Sequence, residues 1–165
     1  MKTLFLVRHA KSVQNLEGIP DCDRPLKSSG IADAHRVSKS LAQGFTSPAY
    51  WVSSCANRAH HTALIFAQNF QKDFSEVVIN DALYTFEPSG LIDLLGRIDP
   101  NVDSSIAFGH NPAIAVTASR LGNVHFDHFP TSGVAVIEIG AENWRAIPDS
   151  GKTVYHLFPK QLRHR

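Results

Sequence analysis

Residues 4–15 read LFLVRHAKSVQN, an apolar run that ends in an arginine and a histidine and then turns polar. A short continuous apolar run such as Thr3 to Val7 is expected for a strand buried on both faces, as in a parallel sheet covered by helices. The downstream sequence keeps that rhythm. Residues 28–43, SSGIADAHRVSKSLAQ, carry Ile31, Ala34, Val37 and Leu41 at helical spacing, with Gly44 placed to end the helix. AYWVSS then reads as a second strand, and residues 57–70 set Ala59, Ala63, Phe66 and Phe70 on one helical face before EVVIN, a third strand. Pro88 opens the helix PSGLIDLLGRI, SSIAFGH gives a fourth strand, and NPAIAVTASRL a helix with Pro112 near its first turn, where a missing N–H is harmless. The stretch GVAVIEIGAENWRAI, residues 133–147, is expected to form two strands joined by a turn at Gly140 to Asn143. Strands alternating with helices predict a three-layer α/β/α sandwich with a mostly parallel sheet and an antiparallel edge.

The chain has 165 residues, 43% of them hydrophobic, and neither repeats nor a linker-like shift in composition, so residues 1–165 are expected to form one domain. Sixteen Lys and Arg against 15 Asp and Glu leave a formal charge of +1, which gives no electrostatic case for a nucleic-acid or membrane partner. Any anion must be bound locally. The apolar stretch Leu4 to Val7 is too short for a signal-peptide core or a membrane span, and a cytoplasmic protein is expected. Cys22 and Cys55 form no CxxC pair and are read as reduced thiols. Neither is followed six residues later by an arginine, as a cysteine-dependent phosphatase needs; Ser28 and His61 stand there.

In sheets of this class ligands bind beyond the carboxyl ends of the strands. Arg8 and His9 follow the first strand, Arg58 the second and His110 the fourth, so all four are expected to share one crevice. Two guanidiniums can grip a phosphoryl group through paired N–H donors. One imidazole can attack phosphorus if a hydrogen bond at its other nitrogen keeps the attacking one unprotonated. A second, cationic imidazole can bind the equatorial oxygens, where charge accumulates in phosphoryl transfer. The sequence lacks both the carboxylate cluster of a two-metal phosphatase and the GxxxxGK loop of a nucleotide site, so neither metal nor cofactor is expected.

LVRHAKSVQN is similar to R-H-G-x-S-x-x-N, the first motif of the histidine phosphatase superfamily (phosphoglycerate-mutase-like). Arg8, His9, Ser12 and Asn15 match, and Ala10 replaces the glycine. DRPLKSSG (Asp23 to Gly30), SSCANRAHHTA with Arg58, FGHNPAI with His110 and FPTSGVAVIEI resemble the superfamily's later blocks in order, over roughly residues 3–139. The short phosphohistidine phosphatase branch is the nearest in form. The resemblance implies that His9 is the nucleophile, that Arg8, Arg58 and His110 form the phosphate pocket, and that Asn15 and Ser12 hydrogen-bond the incoming group. Many members use a Glu or Asp beyond strand three as general acid; Glu87 is the nearest candidate and Asp23 a second. Lys11 adds positive charge near the mouth. The implied activity is a metal-independent phosphatase acting through a covalent phosphohistidine, on a phosphorylated protein or a small phosphorylated substrate. A phosphohistidine protein comes first and a small-molecule phosphomonoesterase second. Two other readings compete. His125, Asp127 and His128 in NVHFDH could ligate a metal and make a metal-dependent hydrolase, and a catalytically silent phosphate-binding module could keep the same residues.

Overall fold

The computed structural model describes residues 1–163. Six strands, β1 (Lys2–Arg8), β2 (Tyr50–Ser53), β3 (Val77–Ile79), β4 (Ser104–Gly109), β5 (Val134–Ile139) and β6 (Lys152–Leu157), form one sheet in the order β3-β2-β4-β1-β5-β6. The first four are parallel; β5 runs antiparallel to β1, and β6 to β5. Helices α1 (Ser28–Gly44) and α2 (Asn57–Asn69) cover one face, and α3 (Pro88–Leu95) and α4 (Ala113–Leu121) the other. A short α5 (Pro159–Leu162) packs against α1. The expected three-layer α/β sandwich with its antiparallel edge is what the chain forms.

The alternation of β1 explains why its run is continuously apolar. Phe5 and Val7 join the core under α1 and α2, while Leu4 and Leu6 join the core under α3 and α4. Both faces are buried, so after Lys2, whose ammonium is paired with Asp103 at 2.9 Å, no position on the strand carries a charge until Arg8. On α1 the spacing of Ala34, Val37 and Leu41 sets one fully buried stripe against the sheet. Burying Leu41 alone contributes about 1.5–3 kcal/mol. Among the described residues no helix is long and apolar enough to cross a membrane.

The terminal hairpin differs from expectation. Its first strand is β5, but its second is Lys152–Leu157, not residues 143–147. Trp144, which the alternating pattern had assigned to that strand, leaves the sheet altogether. It is 1% exposed, packs with the core of α3 and α4, and donates from Nε1 to the Val102 carbonyl at 2.8 Å. An indole this large gains more from full burial with a satisfied N–H than from an edge strand. The chain therefore makes a ten-residue excursion, residues 141–150, before it returns at Gly151. A Cβ on Gly151 would stand 2.4 Å from the Leu121 carbonyl oxygen, a contact only glycine avoids.

Candidate active site

The carboxyl ends of β1, β2 and β4 meet, as the sheet order requires, and bring Arg8, His9, Arg58 and His110 together. The backbone at Arg8 and His9 is clamped from both neighbours. The Arg8 N–H donates to the Gly133 carbonyl at 3.1 Å and the His9 N–H to the Gly109 carbonyl at 3.0 Å. The Ser132 N–H, in turn, donates to the Arg8 and His9 carbonyls. Thr62, one turn along α2 from Arg58, ties the two segments together: its Oγ1 accepts from the Ala10 N–H at 2.8 Å and donates to the Arg58 carbonyl at 2.6 Å. On the far side of the loop, Gly30 lets α1 approach, since a Cβ there would lie 2.3 Å from the Lys11 carbonyl oxygen.

His9 is 8% exposed and its ring centroid lies 5.2 Å from that of His110. Its Nδ1 is 2.8 Å from the Ala10 carbonyl oxygen, which can only accept, so Nδ1 carries the proton and Nε2 the free lone pair. Burial, and then the charges of Arg58 and Arg8 and the neighbouring His110, push its pKa down to about 3 against the opposing pull of the Ala10 carbonyl. The imidazole is neutral, with its nucleophilic nitrogen available at ordinary pH.

The sequence expectation of a cationic second imidazole is corrected by the structure. His110, 1% exposed, is pushed down to about 4 by burial first and by Arg58 second, so it too is neutral. Its Nε2 lies 2.9 Å from Ser54 Oγ, which already accepts from the Ala56 N–H. Ser54 is fully buried and its hydroxyl has no other acceptor among the described residues, so it donates to Nε2, and the proton of His110 sits on Nδ1, where it can donate without a net charge.

Arg58, 2% exposed, donates from Nη1 to the Asp21 carbonyl at 2.8 Å and from Nη2 to Asp21 Oδ2 at 3.1 Å. Asp21 Oδ2 also accepts from the Tyr84 hydroxyl, and Asp21 Oδ1 from Arg24 Nε at 3.0 Å. The Tyr84 bond, followed by those of Arg58 and Arg24, holds the Asp21 carboxyl down at about 2. Arg8 donates from Nη1 to the Phe129 carbonyl at 3.0 Å, an oxygen that also accepts from Asn111. After these bonds are made, Arg8 Nε, Arg58 Nε and His110 Nδ1 remain buried without a partner, and among the described residues they are the only buried side-chain nitrogens in that condition. An unsatisfied buried donor costs about 1–3 kcal/mol. Three around one neutral histidine form a site that an anion would satisfy.

The remaining candidates are placed as follows. Ser12, 2% exposed, accepts from Arg24 Nη1 at 2.8 Å, so it braces the loop that carries Asp21. Asn15 is exposed and left-handed, with φ 55°, a conformation asparagine tolerates. Glu87 is exposed at the N-terminus of α3, and among the described residues its side chain has no hydrogen-bond or ion-pair partner; Tyr84 and Phe86 are the residues of that segment that lie against His110. Asp23 is exposed and accepts from Cys22 Sγ. His125 pairs with Asp127 at 3.0 Å on an exposed loop, and among the described residues no group of three His, Cys, Asp or Glu side chains is placed to hold a metal ion. Sequence reasoning passed over Asp21, Tyr84, Ser54 and Thr62. Ser54 and Thr62 stood inside the motif around Arg58, whereas Asp21 and Tyr84 carried no periodic or motif signal.

Comparison with known proteins matches residues 4–84 to the histidine phosphatase superfamily (branch 1). The match and the fold are those of the histidine phosphatase superfamily. The matched segment contains Arg8, His9 and Arg58; His110 lies beyond it and is brought in by the fold. SixA of Agrobacterium tumefaciens, assigned as a phosphohistidine phosphatase, superimposes with a TM-score of 0.81 at 26% identity, over 96% of this chain and 98% of that one. The protein histidine phosphatase SixA in complex with tungstate shares the fold at 18% identity, with a TM-score of 0.78 over 97% of this chain and 99% of that one. A Mycobacterium tuberculosis protein of uncharacterised function is 29% identical over 118 residues, 72% of this chain and 71% of its own length. Together the match and this likeness support a histidine-nucleophile phosphatase, and the shared fold covers 96% of this chain.

Proposed function

We propose that this histidine phosphatase hydrolyses phosphohistidine on a protein through a covalent phosphoenzyme at His9, without a metal ion. In the first step His9 Nε2 attacks phosphorus, the bond from phosphorus to the substrate nitrogen breaks, and the electron pair leaves with the substrate imidazole. In the second, water attacks the phosphohistidine, releasing inorganic phosphate and restoring His9. Arg8 and Arg58, with the His110 N–H, hold the phosphoryl oxygens and stabilise the charge that builds on them. The guanidiniums supply the positive charge that a metal would otherwise provide.

One observation carries this reading: three buried donors without partners surround a histidine whose proton is fixed on Nδ1. The substrate preference is supported by the likeness to SixA of Agrobacterium tumefaciens and by the position of Glu87. Expelling the alkoxide of phosphoserine needs a well-placed proton donor, whereas an imidazole leaves readily without one. Glu87, exposed at the start of α3, is proposed as a donor of secondary importance.

The test is a direct one. His9→Ala should abolish turnover while the protein stays folded, and wild type quenched without acid should hold an acid-labile, base-stable phosphoenzyme that the variant lacks. A variant that keeps more than a few per cent of activity would refute the covalent mechanism. A sugar phosphate preferred about tenfold over a phosphohistidine protein, with a large loss in Glu87→Gln, would instead establish a small-molecule phosphomonoesterase with Glu87 as its acid.

A further inference from the structure

In an in-line displacement the leaving group stands opposite the attacking nitrogen, so at this site it lies outward from His9, toward the mouth. The exposed ring beside His110 on the way out is Phe86. Its ring is 49% exposed and belongs to neither core cluster. Its centroid lies 5.5 Å from that of His110, which in turn lies 5.2 Å from that of His9. Three rings thus step from the nucleophile out to solvent. The outermost is held in place: Tyr84 meets Phe86 edge-on at 6.1 Å and His110 at 5.4 Å. Tyr84 is itself fixed by its hydroxyl on Asp21 and by the Arg58 guanidinium 5.9 Å from its ring centre. The intervening Thr85 Oγ1 accepts from the Glu87 N–H at 3.1 Å and closes the turn.

We propose that Phe86, braced by Tyr84, is a specificity-determining residue, a flat platform on which a planar aromatic leaving group stacks as its bond to phosphorus breaks. The leaving group it suits is the imidazole of a phosphohistidine, so the inference rests on the phosphatase reading above and sharpens it. Aromatic rings pair favourably at centroid separations of about 4.5–7 Å, a spacing the exposed side of Phe86 leaves open. The bonding pair goes to the ring nitrogen as the phosphorus–nitrogen bond breaks, so a ring already protonated on its other nitrogen departs as neutral imidazole, and its flat face stays paired with Phe86 through the transition state. A serine side chain or a simple amine has no ring to stack.

The test compares N-phosphoimidazole with phosphoramidate, which share a phosphorus–nitrogen bond and differ in whether the leaving group is a ring. In Phe86→Ala, kcat/KM for phosphoimidazole should fall about 5- to 10-fold and that for phosphoramidate less than about twofold. Phe86→Trp should restore the preference, and Phe86→Leu, which keeps bulk without a flat face, should not. Phe86 is half exposed, so the variants fold, which a thermal melt verifies. Equal losses on both donors, or no loss on either, would overturn the platform while leaving the phosphatase intact. Wild type that turned over neither donor would overturn the phosphatase reading and the platform with it.

Discussion

Lowering the pH from about 7.5 to about 5 should destabilise the fold through the candidate site itself. A histidine in an unfolded chain titrates near 6.5, whereas burial and the two arginines push His9 to about 3 and His110 to about 4 in the folded protein. Both folded values are depressed. Above about pH 6.5 both states hold the rings neutral and nothing is lost. Below it the unfolded chain takes up protons that the folded chain refuses, so stability falls with pH and levels off only near pH 3–4. At pH 5 the difference is about 2 kcal/mol for each histidine and about 4 kcal/mol for the pair. That is a large share of the 5–15 kcal/mol by which domains are usually stable. The assay is urea unfolding across this pH range for wild type and for the double variant His9→Asn, His110→Asn, which keeps every other titrating group. The buffer must be free of phosphate, because an anion bound to the native state would shift the midpoint on its own. Wild type should lose about 4 kcal/mol more than the variant over the range. Parallel curves would show that the two imidazoles are not held neutral by the fold.

Thr62→Val should cost about 1–3 kcal/mol, because the buried Ala10 N–H loses its acceptor; chemical unfolding measures this, and kcat should fall more than KM rises, since His9 and Arg58 lose their common tether. Trp144→Ala should cost about 3–5 kcal/mol but leave kcat/KM unchanged at a temperature where the protein is folded, because Trp144 packs beside Val102, at the amino ends of the strands.

Much of the fold was legible because its signals are local and redundant. β1 had to be continuous and apolar to be buried on both faces, and α1 had to repeat its apolar residues at three and four. The hairpin misled for a physical reason. Residues 143–147 look strand-like as isolated letters, but Trp144 has a better destination in a core assembled from α3, α4 and the turn at Val102. Propensity cannot see that cavity. The real strand, Lys152–Leu157, alternates between exposed Lys152, Val154 and His156 and more buried Thr153, Tyr155 and Leu157, a weaker pattern because an edge strand buries only one face.

The site divides along the same line. Arg8, His9, Arg58 and His110 could be found because topology alone delivers the carboxyl ends of β1, β2 and β4 to one place. Asp21 and Tyr84 could not, since they meet Arg58 only through a loop held by Arg24 on Ser12 and Val13. Nor could sequence fix the charge state of the imidazoles, which depends on burial that exists only after folding. That burial joins the two halves of the chemistry. The positive charge of Arg8 and Arg58 that would hold a phosphoryl group is also part of what keeps His9 deprotonated. It follows that replacing either arginine weakens the grip on phosphorus and, at the same time, lets the nucleophile's pKa rise toward that of an ordinary histidine.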